Sequence, residues 1–549
     1  MKAPNNDHSS DAESSKYNDS LSSLEILKNL DQFVNKSKEK IRDYKRIKDL
    51  DFDKNIRNLE EHIDNFSYRL TAQSVGMIRQ IGDNVAFISG LPGVMSSEIV
   101  TFPNGTHGLV MDLDEYYVGC MLLGTSEGIQ ADDIVYGTGR VVDVPVGDTL
   151  LGRVVDALGQ PIDGLSPLKV DKRRSIEYPA PSFMQRIPVS KPLQTGIKAV
   201  DSVIPLGRGQ RELIIGDRQT GKTALAIDTV INQKNEDVRC VYVCIGQKMS
   251  TVAQIVKTFQ EYEALDYTVV VAASAEAPPS MIYLAPYTGC AIAEEFMYSG
   301  QDVLIIYDDL TKHAMAYRQI SLLLKRPAGR EAFPGDIFYI HSRLLERTAR
   351  LSMDFGGGSM TALPIIETQA GNIAAYIPTN LISITDGQIY LSSKLFDEGI
   401  LPAIDIGLSV SRVGGSAQND AMRAVSSNLA LNVAQYLELR IFSRFGTELD
   451  PETERQLARG ERIREILTQP QYEPMPVAHQ VAIIYAVAKG FLDKVPIEEV
   501  SEFESRFIKY VKEHYSGLLS EFSAGHWNKE LENDLNYVLV QFQQHISED

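Results

Sequence analysis

The stretch Gly216-Asp217-Arg218-Gln219-Thr220-Gly221-Lys222-Thr223 constrains the chain more than any other. It has two glycines five apart, followed at once by Lys and Thr, which is the pattern of a phosphate-binding loop. Glu212-Leu213-Ile214-Ile215 before it reads as a short buried strand. Residues 224–232 after it read as a helix with Leu225, Ile227, Val230 and Ile231 available for packing. That order of strand, loop and helix supplies what polyphosphate needs, many backbone N–H donors converging at a helix N-terminus. Gly216 and Gly221 allow a tight turn and close backbone approach. Lys222 is expected to reach the β and γ phosphates, and the Thr223 hydroxyl to sit on Mg²⁺.

Size and charge narrow the remaining possibilities. The 549 residues suffice for about three domains, and 44% hydrophobic with 23% charged residues is ordinary soluble composition. A formal net charge of -19 argues against a nucleic-acid binder, which needs a basic face. No apolar run approaches the roughly 18 residues of a membrane span, so membrane association is expected through partners. The first twenty residues have neither a signal peptide's apolar core nor a transit peptide's arginines. Cys120, Cys240, Cys244 and Cys290 lack zinc spacing. Cys240 and Cys244, in an apolar run, read as small buried hydrophobes of a reduced, cytoplasmic protein.

Residues 1–74 form an extension with a polar, disordered start. Ser22 and Glu25 make a capping box before Leu27, Leu30, Val34, Ile41 and Tyr44. Phe52, Ile56, Leu59, Ile63, Phe66 and Leu70 make a second helical stripe, and either stripe can pack on its neighbour or dock on a partner. Residues 75–146 change to short β-rich runs (Val85–Ile88, Ile99–Phe102, Gly119–Leu123) punctuated by Gly, Pro and Asn, which predicts a small closed barrel. A Pro-rich link, residues 178–192, looks like a boundary. Residues 147–418 read as an α/β domain, with Val241–Ile245, Thr268–Val271 and Val303–Tyr307 as strands buried on both faces of a mostly parallel sheet. Residues 419–549 read as helical throughout.

Two residues at strand ends carry further chemistry. The strand ending in Asp308-Asp309 is expected beside the loop strand, with Asp308 as the second anchor for nucleotide-bound Mg²⁺. The run ending at Ile245 leads to Gly246-Gln247-Lys248. A Glu at Gln247 could deprotonate water, whereas an amide can only orient it, so Gln247 warns against assuming catalysis.

Several stretches together resemble the alpha subunits of F-type ATP synthases. They are the loop, Ile305-Ile306-Tyr307-Asp308-Asp309-Leu310, Arg326 to Asp336 (RPAGREAFPGD), His341 to Arg347 (HSRLLER) and Ser409-Val410-Ser411-Arg412-Val413-Gly414. The resemblance runs from about residue 75 to the C-terminus, and the loop wording G-D-R-Q-T-G-K-T separates alpha from the catalytic beta subunits. It implies a β-barrel crown, a RecA-like P-loop domain and a C-terminal helical bundle. It also implies a ring of three alpha and three beta subunits around a central-stalk gamma subunit, on the cytoplasmic face of a bacterial-type plasma membrane. By the same resemblance the site holds Mg²⁺ with ATP or ADP without turning it over, and Gln247 stands where the catalytic subunit has Glu. Gln219, Gln469 and Gln471 match residues near the nucleotide, the last two near adenine. Ser383 and Arg412 match residues given to the neighbouring catalytic site, Arg412 as an arginine finger in trans. The family's N-terminus binds a peripheral-stalk delta-type subunit. Two departures stand out: Leu401 replaces the usual Arg before Pro402, and the N-terminal segment is longer than usual.

Two other classes share parts of this pattern. Hexameric RNA translocases have a similar barrel and RecA domain but need a basic RNA face, which the acidic balance disfavours. Export-apparatus ATPases would carry a catalytic Glu in place of Gln247.

Overall fold

The computed structural model describes residues 74–443 and 450–548, with Gln32 and Asn35 as isolated helical, exposed positions. The chain divides into two units, Met1–Ala72 and Gln73–Asp549, and the second holds the barrel, the central sheet and the helical domain. The capping box and both amphipathic stripes lie outside the described residues.

Six strands, β1 (Val75–Gly82), β2 (Val85–Gly90), β3 (Glu98–Thr101), β4 (His107–Leu113), β5 (Val118–Leu122) and β6 (Ile134–Val141), close into an antiparallel barrel in the order β1-β2-β5-β4-β3-β6. Closure removes free sheet edges, and alternation turns Ile78, Ile88, Val100, Val110, Cys120 and Val135 into a fully buried interior. Asp143–Val146 leaves the barrel and pairs with Lys172–Ser175 instead.

The central sheet has eight strands in the order Val410–Ser411, Gly387–Leu391, Leu213–Asp217, Ser359–Thr368, Asp302–Asp308, Val238–Gln247, Thr268–Ser274, Val154–Val155. All neighbours run parallel except the edge pair Gly387–Leu391 and Val410–Ser411. This corrects one expectation. The Asp308 strand is not beside the loop strand, because Ser359–Thr368 lies between them. That strand is apolar and almost wholly buried, but Pro364 in its middle hides it, since proline is rare in central strands. Cys240 and Cys244 are buried thiols on the strand Val238–Gln247, as expected.

From Asp420 onward the described chain is helical. Asp450 caps the helix Pro451–Leu467 by accepting from the Thr453 N–H, with Pro at the first helical position. The helix Val477–Ala488 is buried along most of its length, with His479 and Gln480 as its polar residues. The architecture is thus a β-barrel, a nucleotide-fold α/β domain and a helical domain. Buried polar contacts join the last two: Lys198 Nζ meets Glu504 at 2.6 Å, and the Gln480 amide donates to Asp201 at 2.9 Å. No helix among the described residues is long and apolar enough to cross a membrane.

Candidate functional site

The strand Leu213–Asp217 delivers its chain directly into the loop, and the helix Lys222–Ile231 starts at once. Gly221 sits at φ 95°, a conformation costly for any other residue. A Cβ on Gly216 would lie 2.5 Å from the Leu391 carbonyl oxygen, so only glycine lets the loop strand pass that close. Asp217 is turned away from the loop's mouth. It accepts from the Thr368 hydroxyl (2.6 Å), the Gly371 N–H (2.8 Å) and the Ser393 hydroxyl (3.0 Å). Burial opposes its charge, yet these donors outweigh burial and hold the carboxyl below the usual range. Asp217 is therefore the staple that fixes the loop.

Lys222 is buried and donates inward to the Asp217 carbonyl at 2.5 Å. Burial lowers its pKa, against the opposing pull of Glu367, Asp309, Asp308 and Asp217. Thr223 Oγ1 donates to Asp308 Oδ2 at 3.0 Å, so the two expected metal-side residues meet across the intervening strand's end. Asp308 also accepts from the Tyr242 hydroxyl (2.9 Å) and from Gln247 Nε2 (3.2 Å). Burial first, and the neighbouring Asp309 charge second, push its carboxyl up to about 6. Asp309 has a different task. It caps the helix Leu310–Leu323 through the Lys312 N–H (2.9 Å) and pairs with Lys312 Nζ (3.0 Å).

A cavity of about 580 Å³ opens here and brings together Arg218, Gln219, Gly221, Lys222, Thr223, Gln247 and Asp308. Gly216, Asp217 and Thr220 stand behind its wall, with the Thr220 hydroxyl on the Asp217 carbonyl at 2.8 Å. Gln469 and Gln471 do not line it. Gln469 is buried with its amide engaged: Nε2 donates to the Gly196 and Glu473 carbonyls, and Oε1 accepts from the Lys198 N–H. Gln471 lies two residues on and is exposed.

Ser383 and Arg412 lie elsewhere. Ser383 is exposed near the end of the helix Tyr376–Ile384 and donates to the Asn380 carbonyl. Arg412 directly follows the edge strand. Ser411 pairs with Gly387, whereas Leu391 pairs with Gly216. Arg412 is thus displaced from the loop by four residues of strand, about 13 Å at roughly 3.3 Å per residue.

Comparison with known proteins decides the family. The "ATP synthase alpha/beta family, beta-barrel domain" matches residues 72–139, the "ATP synthase alpha/beta family, nucleotide-binding domain" residues 196–411, and the "ATP synthase alpha/beta chain, C terminal domain" residues 418–542. ATP synthase subunit alpha of Clostridium acetobutylicum is 54% identical over 482 residues, 88% of this chain and 95% of the relative. That of Caldanaerobacter subterraneus subsp. tengcongensis is also 54% identical, over 487 residues, covering 88% of this chain and 96% of the relative.

The chain belongs to the ATP synthase alpha-subunit family.

Membership makes it a subunit of an ATP synthase, with a nucleotide-binding domain of its own. In this alpha-family chain the cavity also contains residues not expected from the sequence: Ala224, Lys312, Glu367 and Phe396. Glu367 stands near the carboxyl end of the strand Ser359–Thr368, where α/β ligand sites form, but Pro364 conceals that strand in the sequence. Lys312 follows Asp308-Asp309 by one helical turn. Phe396 and Tyr242 carried no local signal. The first belongs to a short helix distant in sequence, and the second reads as one more apolar residue of a buried strand.

Proposed function

We propose that this chain is a regulatory, largely non-catalytic subunit of the ATP synthase head that binds Mg-ATP or Mg-ADP and lends Arg412 to a neighbour's catalytic site. The observation that carries this is Gln247 beside Asp308 in the phosphate-loop cavity. An amide there can orient water but has no useful proton-accepting state.

The donor set fits magnesium: the Thr223 hydroxyl and the Asp308 carboxylate are hard oxygen groups held together at a phosphate loop. Bound Mg²⁺ would neutralise phosphate charge there. This chain's residues do the remaining work, with loop N–H groups and Lys222 binding phosphate and Asp217 holding the loop's shape. The strand register supports delivery of Arg412 in trans, since it stands at the opposite end of the strand Gly387–Leu391 from its own loop. Ser383, exposed near the same edge, is assigned to the same neighbouring site. Gln219 faces the nucleotide, whereas the adenine role of Gln469 and Gln471 rests on family resemblance.

The partners of this reading are a beta subunit alternating with this chain, a central gamma subunit, and a delta-type stalk subunit bound through the N-terminal extension. It divides the chain at 1–74, 75–146, 147–418 and 419–549, and sets the complex on the cytoplasmic face of a bacterial-type membrane. The test is to purify the native complex, identify its subunits, and assay this chain alone. Mg-ATP binding without turnover is expected, and turnover that survives further purification overturns the reading. A second reading rests on Glu367, a carboxylate in the same cavity. If turnover is seen and Glu367→Gln abolishes it, this chain has its own base.

A further inference from the structure

We infer that Tyr242 is a positioning residue of the nucleotide site: its buried phenol fixes the Asp308 carboxylate that faces the Thr223 hydroxyl. The inference rests on the reading of Thr223 and Asp308 as the Mg²⁺ side of that site. Tyr242 lies in the middle of the strand Val238–Gln247, fully buried, in register with Ile306 of the Asp308 strand. Its ring stands edge-on to Phe259, with centroids 5.5 Å apart. An apolar side chain would serve such packing as well, and a phenol buried there needs a partner for its hydroxyl. Asp308 Oδ2 is that partner at 2.9 Å.

The carboxylate offers about four acceptor positions over its two oxygens. Oδ2 takes Tyr242 and Thr223, and Oδ1 takes Gln247 at 3.2 Å. Three donors from three separate positions leave the carboxylate plane little freedom to turn. Of these, Thr223 and Gln247 line the cavity and are open to what binds there. Tyr242 reaches Asp308 from within the core and is held by the strand itself, so it sets the orientation before any ligand arrives. A phenol, with an ordinary pKa of about 10, is a donor at neutral pH. Groups that orient a metal ligand from behind in this way typically change metal affinity about 10- to 100-fold when removed.

Tyr242→Phe keeps the ring and its Phe259 contact and removes the donor alone. ATP affinity of the purified full-length chain is measured with Mg²⁺ and again with EDTA. The unaltered chain should bind ATP more tightly with Mg²⁺. Tyr242→Phe should lose about 10- to 100-fold of that gain and match the unaltered chain in EDTA. In an Asp308→Asn background, Tyr242→Phe should cost nothing further, because the two act through one interaction. An undiminished Mg²⁺ gain in Tyr242→Phe overturns the inference, as does equal weakening in both conditions, which marks a packing role. Absence of any Mg²⁺ gain in the unaltered chain is seen before any substitution and overturns the metal-side reading itself, and the inference with it.

Discussion

The Arg412 guanidinium donates to the carbonyl oxygen of Thr385 at 3.2 Å, and its other nitrogen to that of Ile382 at 3.4 Å. Both carbonyls belong to the C-terminal end of the helix Tyr376–Ile384, where a cation is favoured by the helix dipole. The bonds are long for charged donors, so the guanidinium is held in place but not consumed. In the assembled complex, Arg412→Lys should cut multisite turnover by about 10³ to 10⁵, because a point charge cannot fork across two phosphate oxygens. That is roughly 4–7 kcal/mol of transition-state stabilisation. ATP binding to this chain should not change. Turnover within a few-fold of normal, in a complex rebuilt with the variant and unaltered beta, removes Arg412 from the finger role.

Lys222→Ala should weaken nucleotide binding to this chain about 10- to 100-fold, the loss of charge-assisted bonds worth roughly 1.5–3 kcal/mol. Asp217 is held by Thr368, Gly371 and Ser393 independently of Lys222, so the loop should keep its shape. Equilibrium binding with a fluorescent nucleotide reads the loss. Single-site catalysis at the beta subunit, measured in the same complex, should be nearly intact.

Arg347 and Glu294 form a pair with side chains 1% and 0% exposed, joined at 2.6 Å by two nitrogens. Arg347 also donates to the Ile176 carbonyl, and Glu294 accepts from Arg174 at 3.1 Å. Arg347→Met leaves Glu294 buried with one weaker partner. Unfolding should become easier by about 3–5 kcal/mol, the usual cost of breaking a buried pair from one side. Urea denaturation checks this, and a loss under about 1 kcal/mol would mean that Arg174 alone neutralises Glu294.

Asp163 gives a pH signature. Its hydrogen bonds from Arg153 (2.6 and 2.9 Å) outweigh burial and, with the Leu165 and Val154 N–H groups, hold the carboxyl at about 2. A folded pKa below the unfolded value of about 3.9 stabilises the fold fully above that value. The stabilisation is lost as pH falls through about 2. The stability gap between the unaltered chain and Asp163→Asn should therefore be constant from about pH 7 to about 5 and shrink toward about pH 2. A gap that widens in acid would contradict the ion pair.

The parts of the site legible in the sequence are those that one segment builds alone. The loop from Gly216 to Thr223 is contiguous, so its glycines, Lys and Thr declare themselves by spacing. Asp308 declares itself by ending an apolar run. The surroundings of Gln469 were illegible for the opposite reason: the resemblance ties it to adenine, but its bonds to Gly196, Lys198 and Glu473 join distant segments. Of these, Gly196 is 273 residues away in sequence, beyond the reach of any local pattern. The barrel was readable because alternation is local, whereas the order of strands in the central sheet was not. No spacing rule reveals that a strand beginning at Ser359 inserts between two that precede it.

That inserted strand has a dimensional consequence. Thr368 bonds Asp217 on one side, and the Glu367 N–H bonds the Thr311 hydroxyl, just past Asp308-Asp309, on the other. The loop strand and the Asp308 strand are thus two ladder steps apart, about 9.6 Å. The backbone separation between the loop strand and the Asp308 strand is therefore set by the sheet, and the Thr223 and Asp308 side chains bridge it with their 3.0 Å hydrogen bond. Side-chain changes at the rim can alter what is recognised there, but not the calibre of the frame that carries them.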